Sequence, residues 1–185
     1  MNALATIEGG PPIGLPTTQA AAEKRQYLTF TLGGEMFSIG ILCIKEIIWY
    51  AGVTEVPMMP ACIRGVINLR GAVVPVMDLS LRFGKQSTAV SKNTCIVIIE
   101  IDTEGLRQNM GIVVDAVQAV LEIPSSDIEP PPSFGAKIRS DFIEGIGKVN
   151  GKFVILLNVN QVLSSEEISS MGRLAASSEL DAQPG

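Results

Sequence analysis

The sequence predicts an all-β protein built from two small barrels that pack together. Its apolar runs are short and of β type, and 18 glycines and 11 prolines in 185 residues provide many turns. That is about one residue in six, against roughly 12% in average proteins. Hydrophobic residues make up 46% of the chain and charged residues 18%. This composition supports a sizeable core and excludes a chain that is disordered throughout.

The N-terminal part is predicted to be a flexible tail, followed by a β-hairpin. Residues 1–25 contain Gly9-Gly10-Pro11-Pro12 and show no apolar periodicity. The segment Tyr27–Leu32 then alternates as a strand does, and Gly33-Gly34 provides a tight turn. Met36–Ile39 is the predicted partner strand.

The middle of the chain contains several further strand candidates. Ile41–Ile48 has apolar residues at a helical spacing within a β-branched run, so its state stays open. Arg64–Val76 is apolar, β-branched and interrupted by glycines, which favours strands joined by turns. Cys95–Ile101, Met110–Val114 and Lys152–Val159 are predicted strands.

The C-terminal end is predicted to contain one short helix. It would run from Gln161 to about Ala176, because Ser164-Ser165-Glu166-Glu167 provides a cap and carboxylates in the first turn. The end of this helix and a polar tail occupy residues 169–185.

An internal repeat organises the chain. Gly65-x5-Gly71-x6-Asp78 recurs 80 residues later as Gly145-x5-Gly151-x6-Asn158. A second set matches at a spacing of 73 residues and pairs Ile39, Ile41, Ile44 and Ile47 with Ile112, Val114, Val117 and Val120. Each copy is too small to bury its own faces, which predicts two barrels with a shared interface. Which strands form which barrel stays open, since exchanged strands would bury the same residues.

Composition excludes several classes of function. The chain has no histidine, which excludes Ser-His-Asp and Cys-His catalysis and histidine-ligated haem or zinc. Cys43, Cys62 and Cys95 form no C-x-x-C pair and are predicted to be buried, reduced thiols. We therefore expect no metal and no cofactor.

Charge and hydropathy narrow the possible partners and the location. The net charge of −5 disfavours nucleic acids and anionic membrane surfaces. No apolar run approaches the roughly 18 residues of a spanning helix, and the N-terminus lacks the features of a signal peptide. We expect a cytoplasmic protein without direct membrane insertion.

Two charged residues are candidates for a binding site. Glu46 is a lone carboxylate among isoleucines, and Arg70 lies in a glycine-bracketed apolar segment. If the two segments lie side by side, the residues could form an ion pair that provides specificity; otherwise Glu46 belongs to the solvent face. Arg64 needs either a carboxylate partner or a solvated position. Trp49-Tyr50 and Met58-Met59 suit either a partner surface or the core.

An enzyme is the alternative from a different class. It would use carboxylate or lysine catalysis on small β-barrels and would need a concave pocket with shifted carboxylate pKa values. The acidic candidates occur in no known motif, and they are Asp102, Glu104, Asp115 and Asp127.

Six segments occur in an order typical of one protein family. They are Tyr27–Gly33, Ile44–Ile47, Ile63–Gly71, Val74–Leu79, Met110–Val117 and Ile155–Val159. Over about residues 26–168 the chain resembles the CheW family of bacterial chemotaxis coupling proteins. The resemblance implies a non-enzymatic adaptor made of two five-stranded β-barrels. Such an adaptor links the cytoplasmic tip of methyl-accepting chemoreceptors to the regulatory domain of the histidine kinase CheA, in arrays associated with the membrane. A similar adaptor of a parallel pathway, such as surface motility, is also compatible.

The resemblance also implies site residues. The receptor-binding groove between the barrels would involve Ile44, Glu46, Gly65, Arg70, Gly111, Val117 and Val120. Kinase contact would use Leu69 and Val73, and Phe134 would form a second, ring-forming contact with the kinase regulatory domain. An aromatic pair at Trp49-Tyr50 could tune which receptors are accepted.

Overall fold

The structure is a computed structural model that describes residues 23–103, 105–131 and 139–164. The predicted N-terminal tail up to residue 22, Phe134 and the predicted helix beyond residue 164 lie outside the described residues.

The described residues form eleven strands and two short α-helices. The strands are β1 (Lys24–Leu32), β2 (Glu35–Gly40), β3 (Ile44–Trp49), β4 (Ile63–Leu69), β5 (Ala72–Asp78), β6 (Cys95–Thr103), β7 (Leu106–Val114), β8 (Ala116–Pro124), β9 (Ile128–Glu129), β10 (Ile143–Val149) and β11 (Lys152–Leu157). The helices are α1 (Leu79–Arg82) and α2 (Val159–Val162), with 3-10 turns at Ile41–Cys43, Ser125–Asp127 and Ser140–Phe142. The predicted all-β class is confirmed.

The strands form two sheets. One has six strands in the order β8-β1-β2-β11-β10-β9, and the other has five in the order β3-β6-β7-β5-β4. Strands β2 and β11 pair in parallel, as do β5 and β7, and the remaining neighbours are antiparallel. The resemblance implied five strands in each half; one sheet has a sixth because the two-residue β9 pairs with β10.

The structure confirms the internal repeat in detail. The β4–β5 hairpin has a register shift between Ile63 and Gly65, and the β10–β11 hairpin has one at the equivalent place, between Ile143 and Gly145. The strands are exchanged reciprocally: β1 and β2 join β8 to β11 in one sheet, while β6 and β7 join β3 to β5 in the other. The exchange is reciprocal, so the two halves of the repeat contribute equivalent strands to the two sheets.

Three apolar clusters form the interior, and the largest of them joins the two sheets. The largest contains side chains from both sheets, such as Phe30, Phe37 and Ile112, all at most 1% exposed. Each sheet also encloses a smaller cluster, around Ile98 in the five-stranded sheet and around Leu156 in the six-stranded sheet. The shared interface predicted from the repeat is therefore the main core.

The structure resolves the ambiguous segment at residues 41–48 and shows a short helix near the end of the described chain. The ambiguous segment at residues 41–48 is a 3-10 turn at Ile41–Cys43 followed by β3. A short helix, α2, begins at Val159, because the side chain of Asn158 caps it by accepting a hydrogen bond from the Gln161 backbone N–H at 3.3 Å. The helix predicted from residue 161 to about residue 176 lies mostly outside the described residues. Ser164, the predicted cap, lies beyond this helix.

The three cysteines are free thiols. Cys62 and Cys95 are buried as predicted, whereas Cys43 is only half-buried. Burial raises the pKa of all three thiols above the ordinary value. They are therefore protonated at neutral pH and poor nucleophiles.

Gly65 is required by a close approach of two backbone segments. Thr54 and Val66 exchange two backbone hydrogen bonds, each 2.8 Å long, and the φ angle of Gly65 beside them is +155°. A Cβ atom at this position would lie 2.2 Å from the carbonyl oxygen of Thr54. Only glycine fits without moving one of the two segments.

We expect Gly65→Ala to lower the free energy of unfolding by about 2–4 kcal/mol, since it combines backbone strain with the loss of this bridge. The matched control is Gly71→Ala, where φ is +88° but no atom lies within 4 Å of the added Cβ. The Gly71→Ala control introduces backbone strain without a steric clash, so it should lower the free energy of unfolding by only about 1–2 kcal/mol. Urea unfolding measures both, and equal losses would contradict the steric argument.

Candidate partner-binding site

Glu46 and Arg70 form the ion pair that the sequence suggested. The guanidinium Nη2 of Arg70 donates a hydrogen bond to Oε2 of Glu46. Glu46 lies half-buried on β3, and Arg70 is exposed in the turn after β4. Because β3 and β4 are the two edge strands of the five-stranded sheet, the ion pair joins opposite edges of that sheet.

Arg70 occupies a backbone position that does not favour arginine. Arg70 and Gly71 form the two-residue turn between β4 and β5, and their φ angles are +50° and +88°. A left-handed φ favours Gly, Asn or Asp. The equivalent turn between β10 and β11 follows this rule with Asn150 and Gly151. Arg70 therefore occupies this turn at a cost in backbone energy.

The repeat indicates that the fold does not need this ion pair. By the spacings of the two copies, Glu46 corresponds to Ala119 and Arg70 to Asn150. The second hairpin keeps the same register shift and the same two-residue turn without any such pair. An exposed ion pair that the fold does not require is a candidate for recognition of a partner.

A groove lies between β3 of the five-stranded sheet and β8 of the six-stranded sheet. Its volume is about 460 Å³. All the residues that line it are uncharged, and they are Ile47, Ile48, Trp49, Asn93, Cys95, Ala116, Val117 and Gln118. Ile47 and Trp49 are exposed apolar side chains on β3, and Val120 is one on β8. The groove therefore offers an apolar, uncharged surface at the junction of the two sheets.

The residues expected in this groove fall into two groups. Val117 lines it, Val120 lies exposed on the same strand, and Ile44 packs half-buried against the core between the sheets. Gly65 and Gly111 are buried instead. A Cβ on Gly111 would point into the five-stranded sheet, 2.7 Å from Cγ2 of Ile96. Any effect of these two glycines on the groove would act through the backbone.

Some exposed apolar residues were not predicted as groove residues. Ile47 alternates with Glu46 on β3 and points to the outer face, so strand alternation was the signal that could have identified it. Leu42 in the preceding 3-10 turn is fully exposed. The aromatic pair is split, because Trp49 is exposed while Tyr50 is half-buried. Met58, at a φ of +65°, is also exposed.

The residues expected to bind the kinase lie on the β4–β5 hairpin. Val73 on β5 is 72% exposed, and Leu69 on β4 packs partly against the interior of the sheet. Phe134 lies outside the described residues. The repeat counterpart of Val73 is Phe153, which is 64% exposed on β11.

Arg64 is a half-buried structural residue rather than a solvated one. Its Nε donates to Oδ2 of Asp78 at 3.0 Å, and its Nη1 donates to the hydroxyl of Tyr50 at 3.2 Å. Burial alone lowers the pKa of Arg64, but the Tyr50 hydroxyl and the Asp78 carboxylate outweigh it, so the pKa is raised. Asp78 is fully buried and also accepts hydrogen bonds from the backbone N–H groups of Ser80 and Thr88, at 3.0 and 2.9 Å. This network fastens β4 to the end of β5.

Within the described residues, no group of three or more histidine, cysteine, aspartate or glutamate side chains could hold a metal ion. No helix in that part of the chain is long and apolar enough to span a bilayer.

Comparison with known proteins identifies clear relatives. A family model described as a CheW-like domain matches residues 26–167. The chemotaxis protein CheW of Klebsiella aerogenes is 34% identical over 167 residues, which cover 89% of this chain and 98% of that one. The protein PilI of Pseudomonas aeruginosa is 27% identical over 72% of each chain. The crystal structure of the scaffolding protein TtCheW from Thermoanaerobacter tengcongensis has a TM-score of 0.68 at 33% identity, covering 80% of this chain and 92% of that chain.

Proposed function

The chain belongs to the CheW-like family, and on this premise we propose that it is a non-enzymatic chemotaxis adaptor. It couples methyl-accepting chemoreceptors to the histidine kinase CheA and so gives the receptors control of kinase activity. The observation that carries the proposal is the Glu46–Arg70 ion pair, which belongs to the family's expected receptor site and which the second copy of the repeat lacks. The adaptor is expected in the cytoplasm, recruited to receptor arrays at the membrane.

The receptor partner is proposed to be an amphipathic helix from the cytoplasmic tip of a chemoreceptor. A helix of this kind buries an apolar stripe in a groove, and the β3–β8 groove is lined by uncharged residues. The ion pair would add orientation and specificity more than affinity. The proposed receptor site comprises Ile44, Glu46, Gly65, Arg70, Gly111, Val117 and Val120.

The kinase contact is proposed at the β4–β5 hairpin. Val73 supports this proposal because it is an apolar side chain that is largely exposed, on a strand whose last three residues are buried. Leu69 packs partly against the apolar cluster of the five-stranded sheet and so anchors the hairpin on its buried face. Phe134 is proposed for the second, ring-forming contact.

We also propose that each sheet closes into a five-stranded barrel. Strand β9 follows β8 after a single 3-10 turn, so the two can act as one bent strand that pairs with both β1 and β10. Thr54, which follows β3, bridges to Val66 of β4 in the equivalent place. In both sheets, the segment that follows an edge strand would then pair with the opposite edge and close the barrel.

The experiment that tests the function is reconstitution of kinase control. Autophosphorylation of a CheA-type kinase is measured with membrane-embedded chemoreceptors, with and without the full-length chain. We expect receptor-controlled activity only when the chain is present. If the chain binds neither kinase nor receptor, the likeness is one of fold alone and the function must be sought elsewhere.

The kinase contact makes a separate prediction. Val73→Asp should weaken the affinity for the kinase regulatory domain about tenfold or more, since a charge is placed in an apolar contact. The matched control is Phe153→Asp, the equivalent exposed position of the second hairpin, which should leave this affinity nearly unchanged. Calorimetric titration measures both variants. A larger loss with Phe153→Asp would move the kinase contact to the six-stranded sheet.

A further inference from the structure

The groove between β3 and β8 lies where the two halves of the repeat meet. Strands β3 and β8 are equivalent in the repeat, with Ile44 matching Val117 and Ile47 matching Val120. Their pairing partners match as well, since Ile44 pairs with Ile99 on β6 and Val117 with Phe30 on β1. A helix lying along this face would therefore meet a similar apolar centre in either of two opposite directions.

The two ends of this face differ. Trp49 lies opposite Cys95 at one end, and its repeat counterpart Glu122 lies opposite Gln26 at the other. The indole of Trp49 is 68% exposed and lines the groove. Glu122 forms an ion pair with Lys24, with 3.6 Å between Nζ and Oε1. One end is thus aromatic and the other ionic.

The two charged side chains on β3 are compensated within the chain. Lys45, which precedes Ile47 on β3, pairs with Glu100 at 3.2 Å, and Glu46 pairs with Arg70. Because the lining itself is uncharged, a partner has no free charge to neutralise there. We therefore expect its contacting stripe to be apolar next to Trp49, where a carboxylate or a neutral polar group would find no partner, and carboxylates or polar groups to lie next to the Lys24–Glu122 pair.

We propose that Trp49 is the residue that fixes the direction of the docked receptor helix, with Glu122 marking the opposite end. The inference rests on the proposed function and concerns the same groove. A helix in the favoured direction places an apolar side chain against the indole and its polar end near Lys24 and Glu122. In the reversed direction a carboxylate or a neutral polar group would be buried against the indole without a partner, which is unfavourable. The difference between the two ends therefore favours one docking direction, although the repeat makes the centre of the face similar in both.

The test uses a soluble chemoreceptor-tip fragment that carries a nitroxide at one end of its helix. Binding to the isotopically labelled full-length chain should broaden the amide signals near only one of the two ends of the groove. In the exchange variant Trp49→Glu/Glu122→Trp, the broadening should move to the other end. Trp49→Glu alone should weaken binding about 30-fold, the loss typical of a buried tryptophan at an interface. Leu106→Glu is the matched control, because Leu106 is also 68% exposed but lies outside the groove.

The outcomes separate this inference from the proposed function. A Trp49→Glu variant that binds within threefold of the unmodified chain overturns the role of Trp49, and so does an exchange variant that keeps the original direction or does not bind. In those cases the adaptor function stands, provided that the unmodified chain still binds the fragment. An unmodified chain that does not bind the receptor fragment at all overturns the receptor site and this inference together.

Discussion

Replacing Asp78 with alanine is expected to lower the free energy of unfolding by about 3–5 kcal/mol. The Asp78 carboxylate is fully buried, is ion-paired with Arg64 and accepts backbone hydrogen bonds from Ser80 and Thr88. Its removal leaves the partly buried guanidinium without its carboxylate and the backbone N–H groups of Ser80 and Thr88 without their acceptor. Each such loss is costly because these groups cannot regain water.

The second copy of the repeat provides the control for this prediction. Asn158 occupies the position of Asp78 and caps α2, while Glu144 occupies the position of Arg64. The second copy therefore has neither the cation nor the buried carboxylate. Asn158→Ala should lower the free energy of unfolding by only about 1 kcal/mol, which is typical for the loss of a helix N-cap.

Urea unfolding measures both variants, together with Arg64→Met and the double variant Asp78→Ala/Arg64→Met. We expect the double variant to lose less than the sum of the single losses, since it leaves no unpaired charge. If Asp78→Ala does not fold, Asp78→Asn reports on the same network. Additive losses, or equal losses at Asp78 and Asn158, would show that the pair is not a buried coupled unit.

The strands that sequence predicted best are those with uninterrupted apolar runs. Cys95–Ile101 falls within β6, where these residues are buried or nearly so. Lys152–Val159 largely coincides with β11, whose exposed residues are Lys152 and Phe153 at its start. Strand β8 was much harder to recognise. It has a register shift opposite Thr29 and Phe30 and three consecutive exposed residues from Gln118 to Val120, and these interrupt the alternation on which strand prediction depends.

The repeat predicted the shared core but not the exchange of strands. Each half gives one hairpin to one sheet and the rest of its strands to the other. Unexchanged strands would have buried the same apolar residues, so no pattern in the sequence distinguishes the two arrangements. The same limitation applies to the partner of Arg64, since Asp78 meets it only after β4 and β5 have paired.

The sequence predicted the part of the candidate site in which a charged residue lies within an apolar segment. Glu46 was an unexplained carboxylate on an apolar strand, and Arg70 was a cation between glycines; only folding brought them into contact. Gly65 and Gly111 could not be assigned in this way, because a glycine carries no chemistry that separates a binding role from a packing role. Both are buried, and at Gly65 the close approach of Thr54 accounts for the residue.

Replacing Arg70 with asparagine, the residue at the equivalent turn of the second copy, should strongly reduce receptor control without loss of stability. Asparagine adopts the left-handed φ of this turn more readily than arginine does. The exposed ion pair contributes at most about 1 kcal/mol to stability, so the gain and the loss should nearly cancel. The urea midpoint should therefore change little, while receptor-controlled autophosphorylation should fall at least about tenfold if the pair contributes 1.4 kcal/mol or more to recognition.

Two further variants determine what the partner recognises. Glu46→Ala should reduce coupling to a similar extent, because it leaves Arg70 without the carboxylate that holds its guanidinium in place. The charge exchange Glu46→Arg/Arg70→Glu rebuilds an ion pair in the opposite sense. Restored coupling would show that the pair acts only by bracing the two sheet edges, and continued loss would show that the receptor contacts one of the charges directly. An Arg70→Asn variant that couples as well as the unmodified chain would remove the ion pair from the receptor site, while the kinase contact at Val73 would be unaffected.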